Sequence, residues 1–371
     1  AVAPEKMRNH FGLQTQDVSP PRTAEPSLKN FNVILYVMET IPQPLYPSMQ
    51  QLIEETNSDW LKQNAIVFEN HHSTHPESDR SNYSVITGKY PPMWKTRAWK
   101  SDMNYGDSLP NVLRSSGYTT YLLVTAPLAF NNDFDMYKNI GFEQMADIPA
   151  VKDLLTKTDN GYRMDRDGLY PADETLIEKA TSTIQAHITN SKSPFLIYIA
   201  LQSSHAPFHC PPTAIEGGAC DNDQEKINAN ATWQFNLLAK FINDIGESGI
   251  TNNTILVVTG DHGIRSKQET ALFTDANKLQ ESTFRVPLLM AAPNLRDIFF
   301  HTSEPSSHID VTPTLLHILG IDASNYDFHG VDLATTRDRT IYFSGEGYLP
   351  ANGFLRSGIY FMENRSNGAR Y

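Results

Sequence analysis

Apolar residues along this chain fall into short continuous runs separated by amphipathic stretches. The clearest run is Asn32-Val-Ile-Leu-Tyr-Val-Met-Glu39, rich in β-branched residues and ending in an acid. A run with no polar face predicts a central parallel strand, covered on both sides, with its functional residue at the carboxyl end. The pattern then alternates. Helices are predicted over Pro47–Gln63 and Leu109–Ser116, the second stopped by Gly117, with strands over Ala65–Glu69 and Tyr118–Val124. Further along come a helix over Asp173–Thr189, a strand over Phe195–Leu201 and a long helix over Thr232–Ser248 closed by Gly249. A strand over Thr254–Thr259 runs into Gly260-Asp-His-Gly263, followed by a strand over Val286–Ala291 and a helix over Val311–Leu319. This alternation predicts an α/β fold, a mostly parallel central sheet with helices on both faces.

Two boundaries are expected. Residues 1–30, proline-rich and without apolar periodicity, read as an extended arm or linker ahead of a domain over 31–320. From 321 to 371 the rhythm changes to short strands at Thr340–Ser344 and Gly358–Met362, which suggests a small C-terminal α+β subdomain.

Composition narrows the partners. The 371 residues carry a net charge of −12, and no Lys/Arg cluster stands out, so nucleic acid is not an expected partner. An acidic chain still accepts an anionic substrate if a metal ion supplies local positive charge. No segment reaches the roughly 18 apolar residues of a membrane helix. Residue 1 is Ala, which leaves room for a membrane anchor outside this chain. The two cysteines, Cys210 and Cys220, share one Pro/Gly-rich loop, where a disulfide would act as a staple. A disulfide points to a periplasmic or extracellular location.

Candidate chemistry gathers at strand ends. Glu39 closes the first strand, where it reads as a ligand or as a solvated cap. His71-His-Ser-Thr-His-Pro-Glu-Ser-Asp-Arg-Ser-Asn82 is dense in hydroxyls and imidazoles at an expected strand-to-helix turn. That turn is either an anion site at a helix amino end or a polar capping loop. Asp261-His262, framed by glycines, offers adjacent oxygen and nitrogen donors suited to a divalent metal. His205 follows the strand over Phe195–Leu201.

These segments, in this order, resemble the landmarks of the sulfatase-like family of the alkaline phosphatase superfamily. So do Thr87-Gly-Lys-Tyr-Pro91, Glu281-Ser-Thr-Phe-Arg-Val-Pro287 and Ser307-His-Ile-Asp-Val-Thr-Pro-Thr-Leu-Leu316. The resemblance implies one divalent metal (Mn²⁺, Ca²⁺ or Zn²⁺) held by Glu39, Ser78, Asp261 and His262. It implies Ser78 as metal-bound nucleophile and His205 near the leaving group, as proton donor or substrate contact. Arg80, Lys278 and His308 are candidates for added positive charge on the substrate. Sulfatases proper place Asp where Glu39 stands; Glu is similar to phosphoglycerol and phosphoethanolamine transferases resembling lipoteichoic acid synthase.

Departures from the family shape the expected chemistry. The run Ser78-Asp-Arg-Ser-Asn82 lacks the Pro and Arg that direct formylglycine formation. Leu201 stands where two-metal phosphatases keep an Asp, so a second metal site is incomplete. Asn131 and Asp133 replace the Trp and Arg of lipoteichoic acid synthases. The expectation is a metal-dependent phosphoester or phosphodiester hydrolase or phospho-group transferase, with lipid- or glycan-linked esters among the candidate substrates. The alternatives are a sulfuric ester hydrolase and a non-catalytic domain that keeps the fold for binding.

Overall fold

The computed structural model describes residues 28–43, 48–56, 58–92, 99–148, 155–158, 161–164, 169–205, 208–216, 220–264, 281–299, 302–335, 339–345, 351–364 and 370. Most of the expected arm at 1–30, and Lys278, lie outside them.

The central sheet has seven strands: β1 (Asn32–Met38), β2 (Ala65–Phe68), β3 (Thr119–Val124), β4 (Gln144–Ala146), β5 (Phe195–Ala200), β6 (Thr254–Gly260) and β7 (Leu288–Ala291). Their order is β2-β7-β6-β1-β5-β3-β4. Five neighbours from β6 to β4 run parallel, while β7 is antiparallel to both β6 and β2. The expected mostly parallel sheet is therefore present, with one reversed strand near its edge. β1 lies in the middle, with β6 on one side and β5 on the other. Its register with β6 pairs Met38 with Gly260, so the residues that follow, Glu39 and Asp261, leave the sheet side by side.

The continuous apolar character of β1 has a direct cause. Val33, Leu35 and Val37 point into one core, and Ile34, Tyr36 and Met38 into another. The first core is closed by α3 (Ser78–Thr87), α4 (Leu109–Ser115) and α8 (Val311–Ile318). The second is closed by α1 (Met49–Glu55), α6 (Leu169–Asn190) and α7 (Asp223–Glu247). Two further helices are α2 (Asp59–Asn64) and α5 (Asp133–Ile140). Each fully buried aliphatic side chain on β1 contributes about 2 kcal/mol to this arrangement.

Local chemistry moves several boundaries. The single helix expected over 47–63 is two, because Ser48 and Ser58 each cap a new start: their hydroxyls accept from the backbone of Gln51 and Leu61. α7 begins nine residues before the expected Thr232, where the Asn222 side chain accepts from Glu225 N–H. The C-terminal strands β8 (Ile341–Ser344), β9 (Ala351–Arg356) and β10 (Ile359–Asn364) form an antiparallel sheet of their own. It packs against the α/β core through Phe343 stacked on Phe284, with ring centroids 4.6 Å apart, and through Ser344 N–H donating to the Thr74 carbonyl.

Candidate metal centre and nucleophile

Glu39, Asp261 and His262 meet at the carboxyl edge of β1 and β6, their donor atoms all within 4.8 Å of one another. This is the crevice where ligands bind in open α/β sheets. The grouping is built by the backbone. Asp261 N–H donates to the Met38 carbonyl, and Ile41 N–H to the His262 carbonyl, so the two strand ends stay laced beyond the sheet. Gly263 permits the next step: a Cβ there would lie 1.9 Å from the Ser282 carbonyl oxygen.

Asp261 is fully buried, and its two oxygens differ. Oδ1 accepts from Thr40 N–H at 2.7 Å and from His262 N–H at 2.6 Å. Oδ2 has no hydrogen-bond partner and lies 3.5 Å from His262 Nε2. A buried carboxylate oxygen without a donor is costly unless a cation faces it. His262 points the same way. Its Nδ1 lies 2.8 Å from the Gly263 carbonyl, which only accepts, so Nδ1 carries the proton and the Nε2 lone pair faces the carboxylates. The donor set therefore fits a divalent cation.

Thr40 is held at φ 51°, a left-handed conformation that β-branched residues rarely adopt. The turn gives its N–H to Asp261 and its hydroxyl to Glu39 Oε1 at 2.7 Å. Strain of this kind collects at functional sites. Nothing in the sequence around Thr40 signals it.

Ser78 opens α3, the helix that follows the His-rich segment, and ends at Gly88, whose φ of 62° closes the helix. Its Oγ lies 3.4 and 3.3 Å from the two Glu39 oxygens and 3.2 Å from His262 Nε2. The structure thus brings together all four residues expected as ligands. At the first position of a ten-residue helix, Ser78 also sits where the helix dipole favours an anion.

The other candidates fall elsewhere. His205 lies on the turn after β5, partly buried, its N–H donating to the Gln202 carbonyl. Arg80 points away from the open side: it is 1% exposed, lies over the Trp99 ring at 5.5 Å and donates to the Pro92 carbonyl. Two residues beyond Ser78, it occupies the opposite face of α3. His308 is fully buried behind the centre, with Nδ1 2.9 Å from Ser81 Oγ and Nε2 3.0 Å from the Gly260 carbonyl. Burial pushes its imidazole down to about 4. Ser81 in turn donates to the Asp261 carbonyl. As placed, both are buried: His308 and Ser81 hold the Gly260 and Asp261 carbonyls, while Arg80 holds that of Pro92. The expectation of direct contact meets this difference, which arises because helix phase and burial, not polarity, decide which way a side chain faces.

Two buried polar residues went unread in the sequence. Gln234 on α7 accepts from Glu39 N–H and donates to the Glu39 carbonyl, at 2.8 and 2.9 Å. Asp173 on α6 accepts from the Thr125 hydroxyl and from the N–H groups of Gln202 and Ser203, at 2.6, 3.1 and 2.9 Å, tying the ends of β3 and β5 together. The only available signal was a polar residue on the inward face of each amphipathic helix. Cys210 and Cys220 form a disulfide, with Cα atoms 6.2 Å apart. No helix among the described residues is long and apolar enough to cross a membrane.

The mostly parallel sheet with a carboxylate–imidazole cluster at its carboxyl edge places the chain in the alkaline phosphatase superfamily, consistent with a metal-dependent hydrolase or transferase. Within that class the chain belongs to the Sulfatase family, whose profile matches residues 31–321. It is 28% identical over 259 residues to lipoteichoic acid synthase 1 of Bacillus subtilis, covering 66% of this chain and 38% of that protein. With a lipoteichoic acid synthase of Staphylococcus aureus it shares 25% over 292 residues, 73% of this chain and 42% of that protein. The chain thus spans about two fifths of the length of these curated relatives. Its fold is similar to the crystal structure of the lipoteichoic acid synthase LtaP of Listeria monocytogenes, with a TM-score of 0.71 at 19% identity over 96% of this chain and 90% of that one. It is also similar to the C-terminal periplasmic domain of EptC from Escherichia coli, with a TM-score of 0.60 at 16% identity over 91% and 94% of the two chains.

Proposed function

We propose that the chain is the catalytic domain of a metal-dependent phosphoester or phosphodiester hydrolase or phospho-group transferase that uses Ser78 as nucleophile. The observation that carries this reading is the Ser78 hydroxyl within 3.4 Å of Glu39 and His262 at a helix amino end. A divalent cation held by Glu39, Asp261, His262 and Ser78 would lower the pKa of that hydroxyl, so that its proton leaves to solvent, and would offset the charge of the ester oxygens.

Ser78 Oγ attacks phosphorus in line, the bond to the leaving oxygen breaks, and the departing alcohol takes a proton, for which His205 is the candidate donor. The positive end of the α3 dipole offsets charge on the transferring group. Water, or an acceptor alcohol, then attacks the phosphoserine and releases Ser78. The lipoteichoic acid synthases among the relatives favour a phosphodiester substrate carried on a lipid or glycan. The disulfide favours work in the periplasm or outside the cell.

A panel of aryl phosphate, phosphodiester and sulfate esters, assayed with Mn²⁺, Ca²⁺ and Zn²⁺, tests the reading. The expected result is phosphoester or phosphodiester turnover that Ser78→Ala removes. Preference for sulfate esters would instead support a sulfatase, and inertness across the panel a binding domain.

A further inference from the structure

Glu39 follows the last residue of β1 in a buried position. Its N–H and carbonyl both turn to one side chain, that of Gln234, which lies 195 residues away in sequence and is fully buried. A primary amide carries one acceptor and two donors in a fixed fork, so it substitutes for an adjacent strand. Neither Glu, which cannot donate when ionised, nor an apolar residue can do so. The second amide hydrogen goes to Ser204 Oγ at 2.6 Å, and Ser204 donates to Asn230 Oδ1 at 3.2 Å. Asn230 sits one helical turn before Gln234 on the same face of α7. Its Nδ2 donates to the His209 carbonyl at 2.8 Å, and the Tyr170 hydroxyl, 2.9 Å from both His209 O and Asn230 Oδ1, braces the junction. His209 is the residue before Cys210.

We infer that Gln234 is a positioning residue for the cation ligand Glu39, and that the Cys210–Cys220 loop is coupled to that ligand through Asn230, Ser204 and Gln234. The inference rests on the reading of Glu39 as a ligand. Every link is a hydrogen bond between groups that are buried or nearly so, where an unmet donor or acceptor costs more than at the surface. The main chain of Glu39 sets the direction of its carboxylate, so tilting that main chain re-aims it. Without the disulfide, the His209 carbonyl loses its fixed place, and the amide chain loses its outer anchor.

The test is Mn²⁺ affinity, read by electron paramagnetic resonance titration of free Mn²⁺ and independent of turnover. Gln234→Met should weaken Mn²⁺ binding about 10- to 100-fold, the range for residues that orient a metal ligand. Gln234→Glu should act similarly, and serves if the Met variant does not fold. Far-UV circular dichroism and the melting temperature separate loss of the ligand's aim from loss of fold. Cys210→Ser/Cys220→Ser should weaken binding about threefold or more. Added to Gln234→Met, it should weaken binding no further, because the chain is already cut. Wild-type affinity in both folded Gln234 variants overturns the positioning role. Independent, multiplicative effects of the disulfide and Gln234 overturn the coupling. Glu39→Ala is the control: unchanged affinity there removes the metal centre itself, a different failure from an indifferent Gln234.

Discussion

Two buried aspartates stand at the same sheet edge and behave oppositely. Asp173, at the β3–β5 end, has a donor on each oxygen: the Thr125 hydroxyl and Gln202 N–H on Oδ1, Ser203 N–H on Oδ2. Asp261, at the β1–β6 end, has two backbone donors crowded on Oδ1 and none on Oδ2. The first carboxylate is a clamp that completes its own surroundings. The second is incomplete without something positive. Burial alone does not separate a structural acid from a functional one; the distribution of donors between its oxygens does.

The same substitution at both places should therefore split in effect. Asp261→Asn keeps an oxygen for Thr40 and His262 but puts an NH₂ where the proposed cation would sit. It should bring Mn²⁺ content to background by elemental analysis and remove turnover, while the melting temperature changes little. Asp173→Asn turns an NH₂ toward a bonded donor and leaves a buried N–H unmet. It should cost about 2–4 kcal/mol of stability by urea denaturation and leave Mn²⁺ affinity near wild type. Matching outcomes at the two positions would break the distinction.

Two smaller effects sharpen the picture away from the cation. Removing the disulfide that closes the loop from Cys210 to Cys220 should lower stability by about 2–3 kcal/mol, the scale for a loop of this length. Acid should act through two buried histidines. Burial pulls His72 down to about 3 and His308 to about 4. Below the ordinary imidazole value of 6.5 the unfolded chain binds protons that the native state refuses, so stability falls as pH drops. Each group should contribute a slope of up to about 1.4 kcal/mol per pH unit, between about 6.5 and its folded value. Melts from pH 7 to 4 on wild type and His72→Gln should show a shallower slope in the variant.

Sequence revealed the parts of the site that sit where apolar runs stop. Glu39 and Asp261-His262 follow continuous buried strands, and Ser78 lies at a fixed distance before Thr87-Gly88. Gln234, Asp173 and Thr40 were invisible for a physical reason. The two helix residues act on partners far along the chain, and Thr40 acts through a backbone angle that no residue type announces. Arg80 and His308 show the reverse: polar in the sequence, both are buried in the structure. Polar residues in a reactive segment look like substrate contacts, yet helix phase turns Arg80 under α3 and packing seals His308 behind Gly260.

The central claim is that Ser78 attacks the ester. Enzyme loaded with Mn²⁺, mixed with a slowly turned-over phosphodiester and quenched in acid, can be digested and its Ser78 peptide weighed. The account predicts a phospho-group adduct on Ser78 that is absent from Ser78→Ala and from enzyme without substrate. Unmodified Ser78 under single-turnover conditions that release product, or formylglycine at that position, would contradict it.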